Sequence, residues 1–331
     1  MIYRIAVHFP SRVLDNEELA CLYSEWSAEK IYEKTGIRRR HVVQDNECAS
    51  DLAAAAAEKI LLHCPRSEVD FLLFCTQSAD YLLPTTACLL QHRLGLPTTC
   101  GAFDFNLGCS GYVYGLAVAE GLIRGGLASN VLLLTADTYS RHIHPGDKSV
   151  RTIFGDAGAA TLVSTRSRCR LHSFVLRTDG SGAEQLMIRT GGARHPGPAQ
   201  TATVLDQSGN VCDPNFLHMD GPEIFNFTLQ SVPSLVNEVI GKAGLRLEEV
   251  DYFVFHQANA YMLEHLRRKL KIRQDRFAVC LEECGNTVSA TIPIALDAAL
   301  QAGRIKAGMK VLLAGFGVGL SWGGCILEWN E

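Results

Sequence analysis

No apolar run in the 331-residue chain approaches the roughly 20 residues that a bilayer-spanning helix requires, so no membrane span is expected. The first residues, Met1-Ile2-Tyr3-Arg4-Ile5, enter a strand-like pattern directly, without a basic segment leading into an apolar core, and no signal peptide is expected. Blocks of like charge are missing too. With 20% charged residues and a formal net charge of -4, nucleic acid is not expected as the main partner. The 12 cysteines contain no Cys-x-x-Cys pair, which argues against a disulfide framework and for a reduced, cytoplasmic protein with mostly buried thiols. Cys280-x-x-x-Cys284 and His142-x-His144 lack a complete ligand set, so no zinc site is expected.

What the chain has in quantity is apolar material. At 47% hydrophobic residues it can bury a core sized for two ordinary domains or one large double-layered body. Strands are expected at Ile2 to Pro10, Val69 to Cys75, Ala102 to Phe105, Val131 to Thr135, Gly158 to Val163 and Tyr252 to Phe255. Helices are expected at Asn16 to Ser24, Glu47 to Cys64 with its alanine run, and Thr85 to Leu94. The basic segment Ile31 to His41 reads either as a solvated helix end or as a lip for phosphate-bearing ligands.

The second half repeats the first. Val69 to Phe74 corresponds to Val250 to Phe255, and Val131 to Leu134 to Val311 to Ala314. Aligning Gly126 with Gly303 then sets Gly108-Cys109-Ser110 against Gly285-Asn286-Thr287. This predicts a duplicated α/β unit with pseudo-twofold symmetry, with Cys109 and Asn286 at equivalent helix starts facing one centre. The boundary falls in the polar tract Ser164 to Arg170, giving halves 1–165 and 166–331, and Gly180 to Gly209 reads as excursion loops.

The stretch around Gly108-Cys109-Ser110-Gly111 passes from turn-forming residues into a buried helical pattern. A helix N-terminus favours an anion, so a thiolate at Cys109 is expected to be stabilised and nucleophilic. A buried cysteine serving as a small hydrophobe is the competing reading, and the stretch alone leaves both open. His256-Gln257-Ala258-Asn259 follows a buried strand, at the end where ligand sites of α/β folds collect. His256 alone reads first as a satisfied core histidine. Cys, His and Asn together offer a nucleophile and two neutral hydrogen-bonding groups, a trio that papain-like proteases also use.

Taken in order, Thr35-Gly36-Ile37-Arg38, Gly108-Cys109-Ser110-Gly111, Ile153-Phe154-Gly155-Asp156, Met219-Asp220-Gly221, His256-Gln257-Ala258-Asn259, Cys284-Gly285-Asn286-Thr287 and Gly317 to Gly323 resemble the β-ketoacyl-acyl carrier protein synthase III family of the thiolase superfamily. The resemblance covers nearly the whole chain. It implies a thiolase-like duplicated α/β unit in a five-layered αβαβα sandwich. It further implies acylation of Cys109 by an acyl thioester, then decarboxylative condensation with a malonyl thioester on acyl carrier protein, in fatty acid or related secondary-metabolite biosynthesis. Under it the backbone N–H groups of Cys109 and Gly319 form the oxyanion hole, and His256 and Asn286 hold the malonyl thioester oxygen. No metal or redox cofactor is implied.

Further roles follow from the same resemblance. Lys30, Lys34, Lys148 and Asn259 fall at the substrate and phosphopantetheine entrance. Lys30 and Lys148 stand where members using coenzyme A carry an aromatic residue and an arginine, so the stacking surface is expected to be gone and the primer to arrive on a carrier protein. Arg267, Arg268 and Lys269 match the carrier-docking face, although such a run also reads as a solvated helix face. Tyr261 replaces an arginine there. Leu83 falls where a partner subunit lends a side chain to the acyl pocket, which implies a homodimer and, with leucine in place of phenylalanine, room for a longer chain. Two alternatives share the fold: an acyltransferase to a hydroxyl or amine, and a non-catalytic partner subunit. Retention of His256 and Asn286 argues against the first and retention of Cys109 against the second.

Overall fold

Continuous apolar runs such as Phe71-Leu72-Leu73-Phe74 suit strands that are covered on both faces, and here they form the centres of two sheets. The computed structural model describes residues 1–200, 204–206 and 209–330. The first half opens with β1 (Ile2–His8) and a ribbon, β2 (Arg12–Asp15) and β3 (Arg39–Val42), which carries α1 (Asn16–Leu22) and α2 (Ala28–Thr35) between its arms. There follow α3 (Ala49–Leu61), β4 (Phe71–Cys75), α4 (Thr86–Arg93), β5 (Gly101–Phe105), α5 (Gly111–Arg124), β6 (Asn130–Asp137), α6 (Lys148–Arg151) and β7 (Ala157–Ser164). These strands form one sheet in the order β1-β7-β6-β4-β5, with β4 parallel to both its neighbours.

The second half begins with β8 (Arg170–Thr178) and the short strands β9 (Leu186–Met187), β10 (Val204–Leu205), β11 (Val211–Cys212) and β12 (His218–Met219). It continues through α7 (Gly221–Ala243), β13 (Tyr252–Phe255), α8 (Ala260–Lys269), α9 (Thr291–Gln301), β14 (Lys310–Gly317) and β15 (Ser321–Glu328). The segment read as excursion loops therefore also contributes short strands, and its residues 201–203 and 207–208 lie outside the described residues.

The second sheet has the order β13-β14-β15-β8, the plan of the first with β8 in the place of β1. The register repeats as well: Phe71 pairs with Val131, and Tyr252 with Val311. Gly126 and Gly303 both take left-handed conformations, at φ 74° and 64°, just beyond α5 and α9. The counterpart of β5 is a single parallel bridge between Phe253 and Phe277.

Helices α5 and α9 form the shared middle layer, each touching strands of both sheets, while α3 and α4 cover the first sheet and α7 the second. The result is the five-layered αβαβα arrangement. Helix α5 comes close to its sheet because it is rich in glycine: a Cβ at Gly111 would lie 2.2 Å from Cys75 Sγ. Three large apolar clusters fill the spaces between layers, and Cys109 belongs to the one that also holds Phe253, Phe255 and Phe316. Among the described residues no helix is long and apolar enough to cross a membrane.

Candidate active site

Cys109 precedes α5 on the turn that leaves β5, and it is buried. Strand β14 passes unusually near: a Cβ at Gly317 would lie 3.0 Å from both the Cβ and the Sγ of Cys109. Glycine is needed there because the thiol occupies that space. Ser110, the next residue, ties the helix start to the second sheet through a 2.6 Å hydrogen bond between its hydroxyl and that of Ser321.

The expectation of a stabilised thiolate is not met in the resting site. Burial pushes the Cys109 thiol well above its ordinary range, and the Asp137 carboxylate pushes it further; only the residue's own backbone N–H acts the other way. Asp137 is itself raised to about 7 by burial, although it accepts hydrogen bonds from the Gln77 N–H at 2.7 Å and from the N–H and hydroxyl of Ser289.

His256 follows β13 directly, and its N–H donates to Ala314 O on β14 at 2.8 Å, so the residue leaves the sheet in a fixed direction. Burial lowers its pKa to about 3, and the imidazole is neutral. Nδ1 lies 2.8 Å from the Thr291 hydroxyl, and the ring packs edge-on against Phe316 at 5.5 Å between centroids. Asn286 is fixed by its main chain, with N–H to Ile153 O at 2.9 Å and O from Gly155 N–H at 3.0 Å. Its Oδ1 accepts from Val288 N–H at 2.9 Å, which leaves the amide hydrogens of the side chain as donors. Val288 itself has φ 54°, a strained conformation for a β-branched residue.

Cys109, His256 and Asn286 all line one cavity of about 480 Å³, together with Phe316 and Gly317 at the end of β14. The N–H of Gly319 finds no acceptor among the described residues, and that of Cys109 faces only the residue's own sulfur. Gly319 has φ 141°, a conformation that side chains disfavour.

The other residues singled out from sequence are placed unevenly. Asn259 lines the same cavity and caps α8 by accepting from Met262 N–H at 2.8 Å. Lys148 is buried and paired with Glu25 at 2.5 Å. Lys30 and Lys34 lie over the Trp26 ring, at 5.7 and 5.2 Å from its centroid. None of the three lysines lines the cavity. An aromatic surface is thus present beside them, supplied by Trp26, which sequence reasoning missed because it lies outside the quoted motifs. Arg267 and Arg268 both pair with Glu264, whose carboxyl is lowered to about 2 chiefly by its hydrogen bond from Arg267. Lys269 has no such partner among the described residues. Leu83 is 85% exposed beside Leu82 at 94%, on the loop between β4 and α4, away from the chain's own cavity. Thr291 also went unnoticed in the sequence. Its signal, a hydroxyl residue opening the second central helix, is too common to single out.

Comparison with known proteins accords with this geometry. Residues 103–180 match the family described as 3-oxoacyl-(acyl-carrier-protein) synthase III, and residues 240–329 match its C-terminal counterpart. The β-ketoacyl-(acyl-carrier-protein) synthase III of Neisseria gonorrhoeae is 33% identical over 324 residues, 97% of each chain. A crystal structure of a 3-oxoacyl-(acyl-carrier-protein) synthase III superposes with TM-score 0.97 at 49% identity over 99% of each chain. A 3-oxoacyl-(acyl-carrier-protein) synthase from Burkholderia xenovorans LB400 does so with TM-score 0.91 at 37% identity, covering 99% of this chain and 93% of that one.

Proposed function

The chain belongs to the 3-oxoacyl-(acyl-carrier-protein) synthase III family of acyl-transferring condensing enzymes, and from that premise we propose that Cys109, His256 and Asn286 carry its reaction, with halves 1–165 and 166–331 each contributing to the site. The observation that carries the assignment is the meeting of one thiol and two neutral donors in a single cavity, beside a Gly319 N–H that has no acceptor among the described residues.

In the first transfer Cys109 Sγ attacks the carbonyl carbon of an acyl thioester. The developing oxyanion takes hydrogen bonds from the N–H groups of Cys109 and Gly319, each worth about 3 kcal/mol. Collapse breaks the old C–S bond, and the proton of Cys109 ends on the departing thiol. In the second transfer His256 and Asn286 donate to the thioester oxygen of a malonyl unit. Its terminal carboxylate departs as carbon dioxide, and the electron pair left behind is held as an enolate. The carbanion attacks the acyl carbon on Cys109, a C–C bond forms, and the sulfur leaves as a thiolate that takes a proton from water to restore the thiol favoured by burial.

For this His256 must donate from Nε2, and a neutral imidazole has only one N–H. Nδ1 must therefore accept, so the hydrogen of the Thr291 hydroxyl turns to Nδ1 and away from Val288 O, which lies 3.0 Å from the same oxygen. Thr291 is the positioning residue that sets the tautomer.

The delivery side follows the same reading. An acyl carrier protein docks by α8 at Arg267, Arg268 and Lys269, and its phosphopantetheine arm enters past Lys30, Lys34, Lys148 and Asn259. Two copies associate so that Leu83 of each reaches the acyl cavity of the other, supported by the exposure of Leu82 and Leu83. All twelve cysteines are unpaired, which supports a reducing, cytoplasmic setting. Intact-mass measurement tests the central assignment: a thioester donor adds acyl mass to the wild type, and Cys109→Ala abolishes it. Continued acylation of Cys109→Ala would overturn the nucleophile.

A further inference from the structure

A second cavity, of about 350 Å³, adjoins the first, with Leu186 in the wall of both and Gly319 in its own wall. Its surface is divided. Leu186, Ile188 and Leu217 make one side apolar, while Gln77, Tyr139 and His142 bring polar atoms to the other. Gln77 stands against the nucleophile's loop: a Cβ on Gly108 would lie 2.6 Å from its Oε1. Tyr139 and Cys109 share one packed cluster.

These polar groups are only partly occupied by one another. Gln77 Oε1 accepts from the Tyr139 hydroxyl at 2.5 Å, and Nε2 gives one hydrogen to Asn106 Oδ1 at 3.0 Å. The second amide hydrogen of Gln77 and the acceptor lone pairs of the Tyr139 oxygen have no partner among the described residues. His142 Nε2 lies 3.3 Å from the Ser78 hydroxyl, which also accepts from Thr138 N–H. His142 Nδ1, donor or acceptor according to the tautomer, has no partner among the described residues.

We propose that this cavity selects an acyl group bearing a hydroxyl or keto oxygen beyond the thioester carbonyl, held by Gln77, Tyr139 and His142 while its carbons lie on Leu186 and Leu217. The inference rests on the reading of Cys109 as the acylated residue with its carbonyl oxygen at Gly319, which directs the chain past Gly319 into this cavity. A plain alkyl chain would strip water from the polar wall and return no hydrogen bond. One polar group left unpaired in this way lowers the rate about tenfold to a hundredfold. Leu83 of a partner copy bears on chain length, whereas the polar wall bears on chemistry.

The test is the rate at which Cys109 gains acyl mass from pantetheine thioesters of butyrate, octanoate, 3-hydroxybutyrate and acetoacetate. At least one oxygenated four-carbon donor is expected to exceed butyryl by about tenfold or more. Tyr139→Phe, which removes one oxygen and keeps the ring, and Gln77→Leu should each narrow that ratio to about threefold or less. Butyryl or octanoyl transfer as fast as the oxygenated donors overturns the specificity while leaving Cys109 as nucleophile. A ratio unmoved by Tyr139→Phe overturns the assignment of the wall. Absence of acyl mass from all four donors overturns the nucleophile and this inference together.

Discussion

Cys109 and Asn286 stand at matching points of the two halves, Cys109 two residues ahead of α5 and Asn286 two residues ahead of the 3-10 turn Val288–Ala290 that leads into α9. The backbone plan is shared and the side-chain chemistry is opposite. In the proposed reaction the first half offers a thiol that gains and loses a covalent bond. The second offers an amide, and with it an imidazole, that only donate. Burial treats both halves alike by favouring uncharged forms: it raises the thiol of Cys109 and lowers His256 to about 3. The resting site is therefore neutral at both helix starts, and its donors face charge only when the oxyanion or the enolate forms. On the proposed reaction, the difference teaches that one shared backbone plan can serve two tasks, covalent attack from Cys109 and hydrogen bonding to the enolate from His256 and Asn286.

The comparison predicts separable losses. His256→Ala and Asn286→Ala should each leave acylation of Cys109 near wild type and slow condensation by about a hundredfold to a thousandfold, the usual effect of removing one donor to a developing oxyanion. Acyl mass by intact-protein spectrometry and carbon dioxide release read the two steps independently. Equal loss in both steps would show that the halves do not divide the work.

Thr291→Val sharpens the second-half side of the contrast. The substitution keeps the shape of a fully buried residue and removes the hydroxyl 2.8 Å from His256 Nδ1. Without that hydroxyl nothing fixes the tautomer, and a ring with its proton on Nδ1 presents Nε2 to the malonyl oxygen as an acceptor. Condensation should fall about tenfold to a hundredfold with acylation unchanged, and Thr291→Ser should restore it. A loss that Thr291→Ser fails to rescue would assign the effect to packing.

The two halves were legible in sequence to different depths. Strands such as Phe71–Cys75 and Tyr252–Phe255 were readable because fully covered strands need no alternation, and the register of both pairs follows the repeat. Cys109, His256 and Asn286 could be drawn together because each lies beside a local signal, a glycine turn or the end of an apolar strand. The direction of the thiol shift was not legible, since burial depends on Gly317 and Asp137 arriving from elsewhere in the chain. Nor was the pairing of Lys148 with Glu25, which are separated by 123 positions. The polar wall of the second cavity joins Gln77 to Tyr139 across 62 positions, and no local pattern announces it. The lost fifth strand near Phe277 shows the same limit: one bridge is enough to cap the sheet edge and too little to leave a strand signature.

The smallest expected effect concerns stability and again separates the halves. His256 has a folded pKa near 3 against 6.5 for an ordinary histidine, so the unfolded chain takes up a proton below pH 6.5 that the folded site refuses. Its contribution to stability is present above pH 6.5 and is lost progressively as the pH falls towards 3. Asp137 acts in the other direction: raised from 3.8 to about 7, it makes folding more favourable as the pH falls from 7 towards 4. Because the two oppose each other, the wild-type profile alone does not isolate either. The difference between wild type and His256→Gln does. Between pH 7 and pH 5.5 the wild type should lose about 1 kcal/mol relative to that variant, read from urea midpoints at each pH. Parallel profiles would mean that His256 is protonated in the folded protein, and the neutral second half of the site would go with it.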